Sequence, residues 1–114
     1  MSMSKYGNQK TVVDGIEFDS RREARRWREL KWLEKAGEIR NLDRQVAYEL
    51  IPSIRSEETG KVIQRGVSYI ADFVYQTVPE GKWIVEDTKG YRTEAYKIKK
   101  KLMLWRHGIE IAEV

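Results

Sequence analysis

Two apolar segments joined by a tight turn constrain this chain most. Tyr69-Ile70-Ala71-Asp72-Phe73-Val74-Tyr75 and Trp83-Ile84-Val85-Glu86-Asp87-Thr88 flank Pro79-Glu80-Gly81. β-Branched and aromatic residues suit strands, and Pro and Gly suit the turn, so an antiparallel hairpin is expected. Each strand carries acids among apolar neighbours, and burying an unpaired carboxylate is costly. Side chains alternate faces along a strand, so Asp87 and Lys89 share a face, and Asp72 can reach it across the hairpin. Two carboxylates and one ammonium converging at a sheet edge suit a hard divalent cation and an activated water. That is the chemistry of phosphodiester hydrolysis.

The rest of the chain orders itself around this hairpin. Residues 1–10 read as a flexible arm, and 11–114 as a single domain. Thr11-Val12-Val13 and Ile16-Glu17-Phe18 flank Asp14-Gly15, a type I′ turn signal that predicts a small N-terminal β-hairpin. Ala24, Trp27, Leu30 and Leu33 recur at helical spacing, predicting a helix from Ser20 to about Ala36 that ends at Gly37. A first strand is expected from Ile39 to Ile54, and Glu57-Glu58-Thr59-Gly60 marks a loop or hairpin tip. The second strand runs from about Val62 or Val67 to Thr77, and the third from Lys82 to Thr88. A second helix follows from about Thr93 to Arg106, with Ala95, Ile98, Leu102 and Trp105 as its expected buried stripe. Ile109 to Val114 alternates as a last strand, which the long crossover allows to lie parallel to a neighbour. The fold class is therefore α/β: helix, three-stranded antiparallel meander, helix, strand.

Composition narrows the chemistry. With no cysteine among 114 residues, disulfides, thiolate zinc sites and cysteine nucleophiles are excluded. No apolar run approaches a membrane span, and Met1 to Lys10 is polar, so a soluble cytoplasmic protein without membrane partners is expected. No phosphate-cradling glycine loop is present, and no organic cofactor is expected. The net charge of +4 is modest, but its distribution is uneven. Arg21, Arg22 and Arg25 crowd the first helix, and Lys97 and Lys100 the second. These five are candidates for contact with a nucleic-acid backbone; two solvated helix faces would look the same.

Individual residues carry rival readings. Lys89 suits an attacking water or the charge that develops on a phosphate, and Asp87 suits the cation. The backbone carbonyl of Thr88 offers a further oxygen ligand. Glu86 faces away from Asp87 by alternation and replaces it only if the strand carries a bulge. Ser20-Arg21-Arg22-Glu23 fits a capping box, so Glu23 is either a helix cap or a third carboxylate at the metal. Tyr96 and Lys100, one turn apart, read either as contacts to the scissile region or as helix surface.

Asp72, then Asp87-Thr88-Lys89, within this element order, resembles the PD-(D/E)xK nuclease superfamily over roughly residues 16–114. The resemblance implies a restriction-endonuclease-like core. It also implies Mg²⁺ (or Mn²⁺) held by Asp72 and Asp87, water positioned by Lys89, and a helix glutamate at the place of Glu23. Related nucleases sometimes place a polar residue near the site at the start of the first strand, here Gln45; a structural hydrogen bond is the other reading, and the favoured one. Ala71 stands where the motif has proline. Lys5-Tyr6-Gly7-Asn8, Asp14-Gly15, Phe18-Asp19-Ser20 and Glu86-Asp87-Thr88-Lys89-Gly90 are further similar to small phage and prophage proteins. Their genes accompany replication and recombination, and some relatives are Holliday-junction-resolvase-like. The implied function is a metal-dependent endonuclease acting on branched DNA in a bacterial host, as a homodimer because a junction has two strands to cut. A noncatalytic DNA-binding subunit with the same fold is the alternative.

Overall fold

The computed structural model describes residues 9–88 and 91–114. Most of the expected arm, together with Lys89 and Gly90, lies outside the described residues. The chain begins with a hairpin, β1 (Thr11–Val13) and β2 (Ile16–Phe18). Asp14 at φ 53° and Gly15 at φ 75° both take the left-handed conformation that its two-residue turn requires. Helix α1 (Arg21–Lys35) follows. Ser20 caps it, its Oγ accepting from Glu23 N at 3.1 Å.

Next come β3 (Ile39–Ile51), a small hairpin of β4 (Ile54–Arg55) and β5 (Val62–Gln64), β6 (Val67–Thr77) and β7 (Trp83–Asp87). Helix α2 (Glu94–His107) and β8 (Ala112–Glu113) complete the chain. The main sheet has the order β3-β6-β7-β8. Its first three strands are antiparallel, and β8 runs parallel to β7, as the crossover through α2 allows. The β4–β5 hairpin makes residues 57–60 a hairpin tip, one of the two expected readings. Gly66 joins it to β6 where a Cβ would come within 2.6 Å of the Ile51 carbonyl oxygen. Only glycine fits that approach without the backbone moving.

Two hydrophobic clusters divide the interior. Ala24, Trp27 and Leu30 of α1 pack with Phe18, Phe73 and Tyr75. Tyr96 and Met103 of α2 pack with Leu50, Tyr69, Ala71, Val74, Val85 and Ile111. The α1 stripe is the expected one, with Leu33 packed beside it. The α2 stripe is not. Ala95 is exposed, Ile98 and Trp105 are 57 % and 81 % exposed, and Leu102 is only partly covered. The helix is turned by about one residue so that Tyr96 points inward, where its hydroxyl donates to Glu113 at 2.8 Å. A buried phenol needs such a partner. Of the four tryptophans only Trp27 joins the core; Trp32, Trp83 and Trp105 are exposed.

The sheet also departs from simple alternation. On β6, Tyr69 and Ala71 pack in the α2 cluster, whereas Phe73 and Tyr75 pack in the α1 cluster. On β3, Arg44 lies over the Phe18 ring on the α1 side, whereas Val46 packs toward α2. The pairs Arg44↔Phe73 and Val46↔Ala71 bracket the switch, leaving Gln45 and Asp72 at it. Gln45 takes φ 55°, an uncommon conformation for a residue with a side chain and a mark of local strain.

Candidate metal centre

The C-terminal end of β7 carries two consecutive buried carboxylates. Glu86 is 1 % exposed and Asp87 2 %. Strand alternation sends them to opposite faces, and their surroundings differ accordingly. Glu86 faces α1, opposite Phe73 in register. Arg26 grips it with two bonds, Nε to Oε1 at 2.8 Å and Nη2 to Oε2 at 2.6 Å. The Tyr75 hydroxyl also donates to Oε2. Burial, then the bond to Glu86, pushes the Tyr75 phenol up to about 12. The bond to Glu86 likewise raises the Arg26 guanidinium above its ordinary value. A charge fully compensated in this way is a structural feature.

Asp87 meets a phenol and lies near other acids. Its Oδ2 accepts from the Tyr69 hydroxyl at 2.6 Å. Burial, then that bond, raises the Tyr69 phenol well above its usual range, so Tyr69 stays a donor. Asp72 lies across the end of the β6–β7 ladder, one step beyond the Phe73↔Glu86 pair. Its Oδ2 accepts from the Thr88 backbone N–H at 2.7 Å and from Thr88 Oγ1 at 2.8 Å. Thr88, whose carbonyl is an expected ligand, is thereby tied to the acid it would join.

Glu23 reaches the same place from the first turn of α1. Its backbone serves the cap, but its carboxylate turns to β3: Gln45 Nε2 donates to Oε1 at 3.4 Å, and Arg44 Nη2 stands 3.9 Å away. Desolvation, then the charges of Asp72 and Asp19, pushes Glu23 up to about 7. Arg44 pulls it down and Asp87 pushes it further up. Ser20 therefore caps α1 through the Glu23 N–H, while the Glu23 carboxylate turns to Gln45 instead of completing a capping box. Asp72 and Asp87 come from two other elements, near enough for their charges to bear on Glu23. Like charges at one buried place favour a proton or a cation. The donors are all oxygen, the chemistry of a hard divalent ion. Among the described residues no three His, Asp or Glu side chains close into a ready-made metal cage.

Comparison of the sequence with family descriptions gives one match, to a protein family of unknown function, DUF1064, over residues 3–110. The chain belongs to the DUF1064 family. Curated proteins and solved structures give no match. No helix of the described residues is long and apolar enough to cross a membrane.

The remaining expected site residues of this DUF1064 chain differ in where they lie. Lys89 lies outside the described residues. Tyr96 is buried rather than on the helix surface, its ring tilted against Tyr69 and its hydroxyl on Glu113. Arg21, Arg22 and Arg25 are exposed on α1. Lys97 pairs with Glu94 at 3.1 Å and Lys100 with Glu113 at 3.4 Å, so the α2 lysines are partly neutralised. Glu86, the rival to Asp87, is held by Arg26 and Tyr75, away from Asp72 and Glu23. Sequence reasoning missed Tyr69, Arg44 and Asp19. Asp19 sits beside the helix cap, where an acid is unremarkable. Tyr69 has one sequence signal, a hydroxyl-bearing aromatic three residues before Asp72.

Proposed function

We propose that this protein is a metal-dependent endodeoxyribonuclease with a restriction-endonuclease-like core. One observation carries the reading: Glu23 is buried beside Asp72, with Asp19 and Asp87 near, and is pushed up to about 7 by desolvation first and by those charges next. A fold tolerates such repulsion where the acids serve a function. The order of helix, antiparallel meander, helix and parallel strand agrees with it.

In this reading Asp72, Asp87 and Glu23 hold Mg²⁺ or Mn²⁺, with the Thr88 carbonyl as a further ligand. When bound, the ion lowers the pKa of its water and offsets charge on the phosphate. Tyr69 orients Asp87, and Gln45 and Arg44 orient Glu23. Lys89 positions the water. Arg21, Arg22 and Arg25 contact the DNA backbone, which places the substrate without reading sequence. Lys97 and Lys100 assist when their acidic partners release them. A chain this small has little surface for base readout, so DNA shape is the expected determinant, with a branched substrate cut by a homodimer.

The test is cleavage of a labelled four-way junction and a matched linear duplex, in Mg²⁺, Mn²⁺ or EDTA. Metal-dependent paired nicks in the junction alone are expected. Equal cleavage of both substrates would keep the nuclease and remove the junction preference. Binding without cleavage in either metal would favour a noncatalytic DNA-binding subunit.

A further inference from the structure

Helix α1 carries a second feature on the side away from its buried stripe. Arg21, Arg25, Arg28, Trp32 and Lys35 follow one another at steps of four, three, four and three residues. At 3.6 residues per turn they stay within an arc of about 80° and extend about 21 Å along the helix. All five are exposed, Trp32 to 69 %. Nearby acids are already committed: Glu29 pairs with Arg26 and Glu34 with Lys31. Among the described residues, none of Arg21, Arg25, Arg28 and Lys35 has an ion pair. A shallow open depression surrounds Trp32, lined also by Arg28, Lys31, Glu34 and Lys35.

Four uncompensated cations in line call for a polyanion. The exposed indole narrows the choice. Phosphates of an intact duplex give an indole nothing to stack on, whereas an unpaired base does, and every base has a face to offer. Another protein is a poor fit, because no second apolar residue shares the stripe. Trp105 differs here, since Ile98 and Leu102 lie on its own side of α2. The stripe begins at Arg21, two residues before Glu23, and Trp32 lies about 14 Å along the axis from Glu23.

We propose that this face of α1 binds single-stranded DNA leading away from the acidic centre, with one unpaired base stacked on Trp32 and phosphates on Arg21, Arg25, Arg28 and Lys35. The proposal rests on the nuclease reading for its choice of DNA. It narrows that reading to substrates carrying an unpaired strand roughly a dozen ångströms from the scissile bond.

The test is fluorescence anisotropy with labelled oligo-dT and a matched duplex, in EDTA, across a salt series. Wild-type protein is expected to prefer the single strand. Trp32→Ala should weaken oligo-dT binding about tenfold, the worth of one stacked base, and Trp32→Phe should recover most of it. Trp105→Ala serves as the control and should bind like wild type. Arg25→Gln and Arg28→Gln should each flatten the slope of log affinity against log salt by roughly 0.7. Trp32→Ala matching the Trp105→Ala control would overturn the proposal. So would Trp32-dependent binding to phosphatidylserine vesicles without a preference for oligo-dT. If DNA is still bound in those cases, and is cut once Mg²⁺ replaces EDTA, the nuclease reading survives; if no DNA binds at all, both fall.

Discussion

Glu86 and Asp87 are chain neighbours, equally buried, and live in opposite surroundings. Glu86 is met by a guanidinium fork and a phenol, so its charge is compensated within the fold. Asp87 is met by a phenol and, beyond it, by Asp72 and Glu23. The first arrangement can be complete without any visitor. The second brings acids from three elements to one place, and Glu23 is the one whose proton is held more tightly there. Burial alone therefore does not tell the two acids apart; the groups around each one do.

The largest effect that would sharpen this contrast is on catalysis. Asp87→Asn is expected to keep the fold and lower metal-dependent cleavage roughly a thousandfold or more. Comparable cleavage by that variant would place the chemistry elsewhere. Glu86→Gln should do the reverse. It leaves Arg26 facing a neutral partner and should cost about 2–3 kcal/mol, read as a lower urea midpoint. Arg26 is partly exposed, so the loss stays at the low end for a broken buried pair.

Glu23 breaks the contrast from the other side. Its pKa is raised from 4.5 to about 7, so the folded state holds the proton more tightly than the unfolded one. Its contribution to stability is fully present below pH 4.5 and is lost as pH rises through 7. Glu23→Gln should therefore stabilise the metal-free protein at pH 8 by roughly 2 kcal/mol and change little near pH 4.5. Thermal melts in EDTA at the two pH values check this; destabilisation at pH 8 would mean that the carboxylate is structural. The smallest effect belongs to Tyr69→Phe, which removes the donor on Asp87. It should lower cleavage or metal affinity about tenfold with the fold intact. A loss as large as that of Asp87→Asn would make Tyr69 more than a positioning residue.

Some of this contrast is legible in the sequence. Alternation along Trp83–Asp87 separates Glu86 from Asp87, and the Pro79–Gly81 turn pairs Asp72 with the end of the next strand. Local rules of period and turn carry that much. The grip of Arg26 on Glu86 is not legible, because it joins residues sixty positions apart through the docking of α1. The switch of faces at Gln45 and Asp72 is hidden too, since a period of two admits no change of side. On α2 two apolar stripes one step apart compete, and Tyr96 and Met103, not Ile98 and Trp105, take the buried side. The exposed stripe from Arg21 to Lys35 is readable only once α1 is known to bury its opposite face.

The most direct measurement is Mn²⁺ binding at pH 8 by calorimetry, for wild type, Glu86→Gln and Asp87→Asn side by side. Binding by the first two and its loss in Asp87→Asn is the expected result. Equal binding by all three, or binding by none, would contradict the assignment of the acidic centre as a metal site.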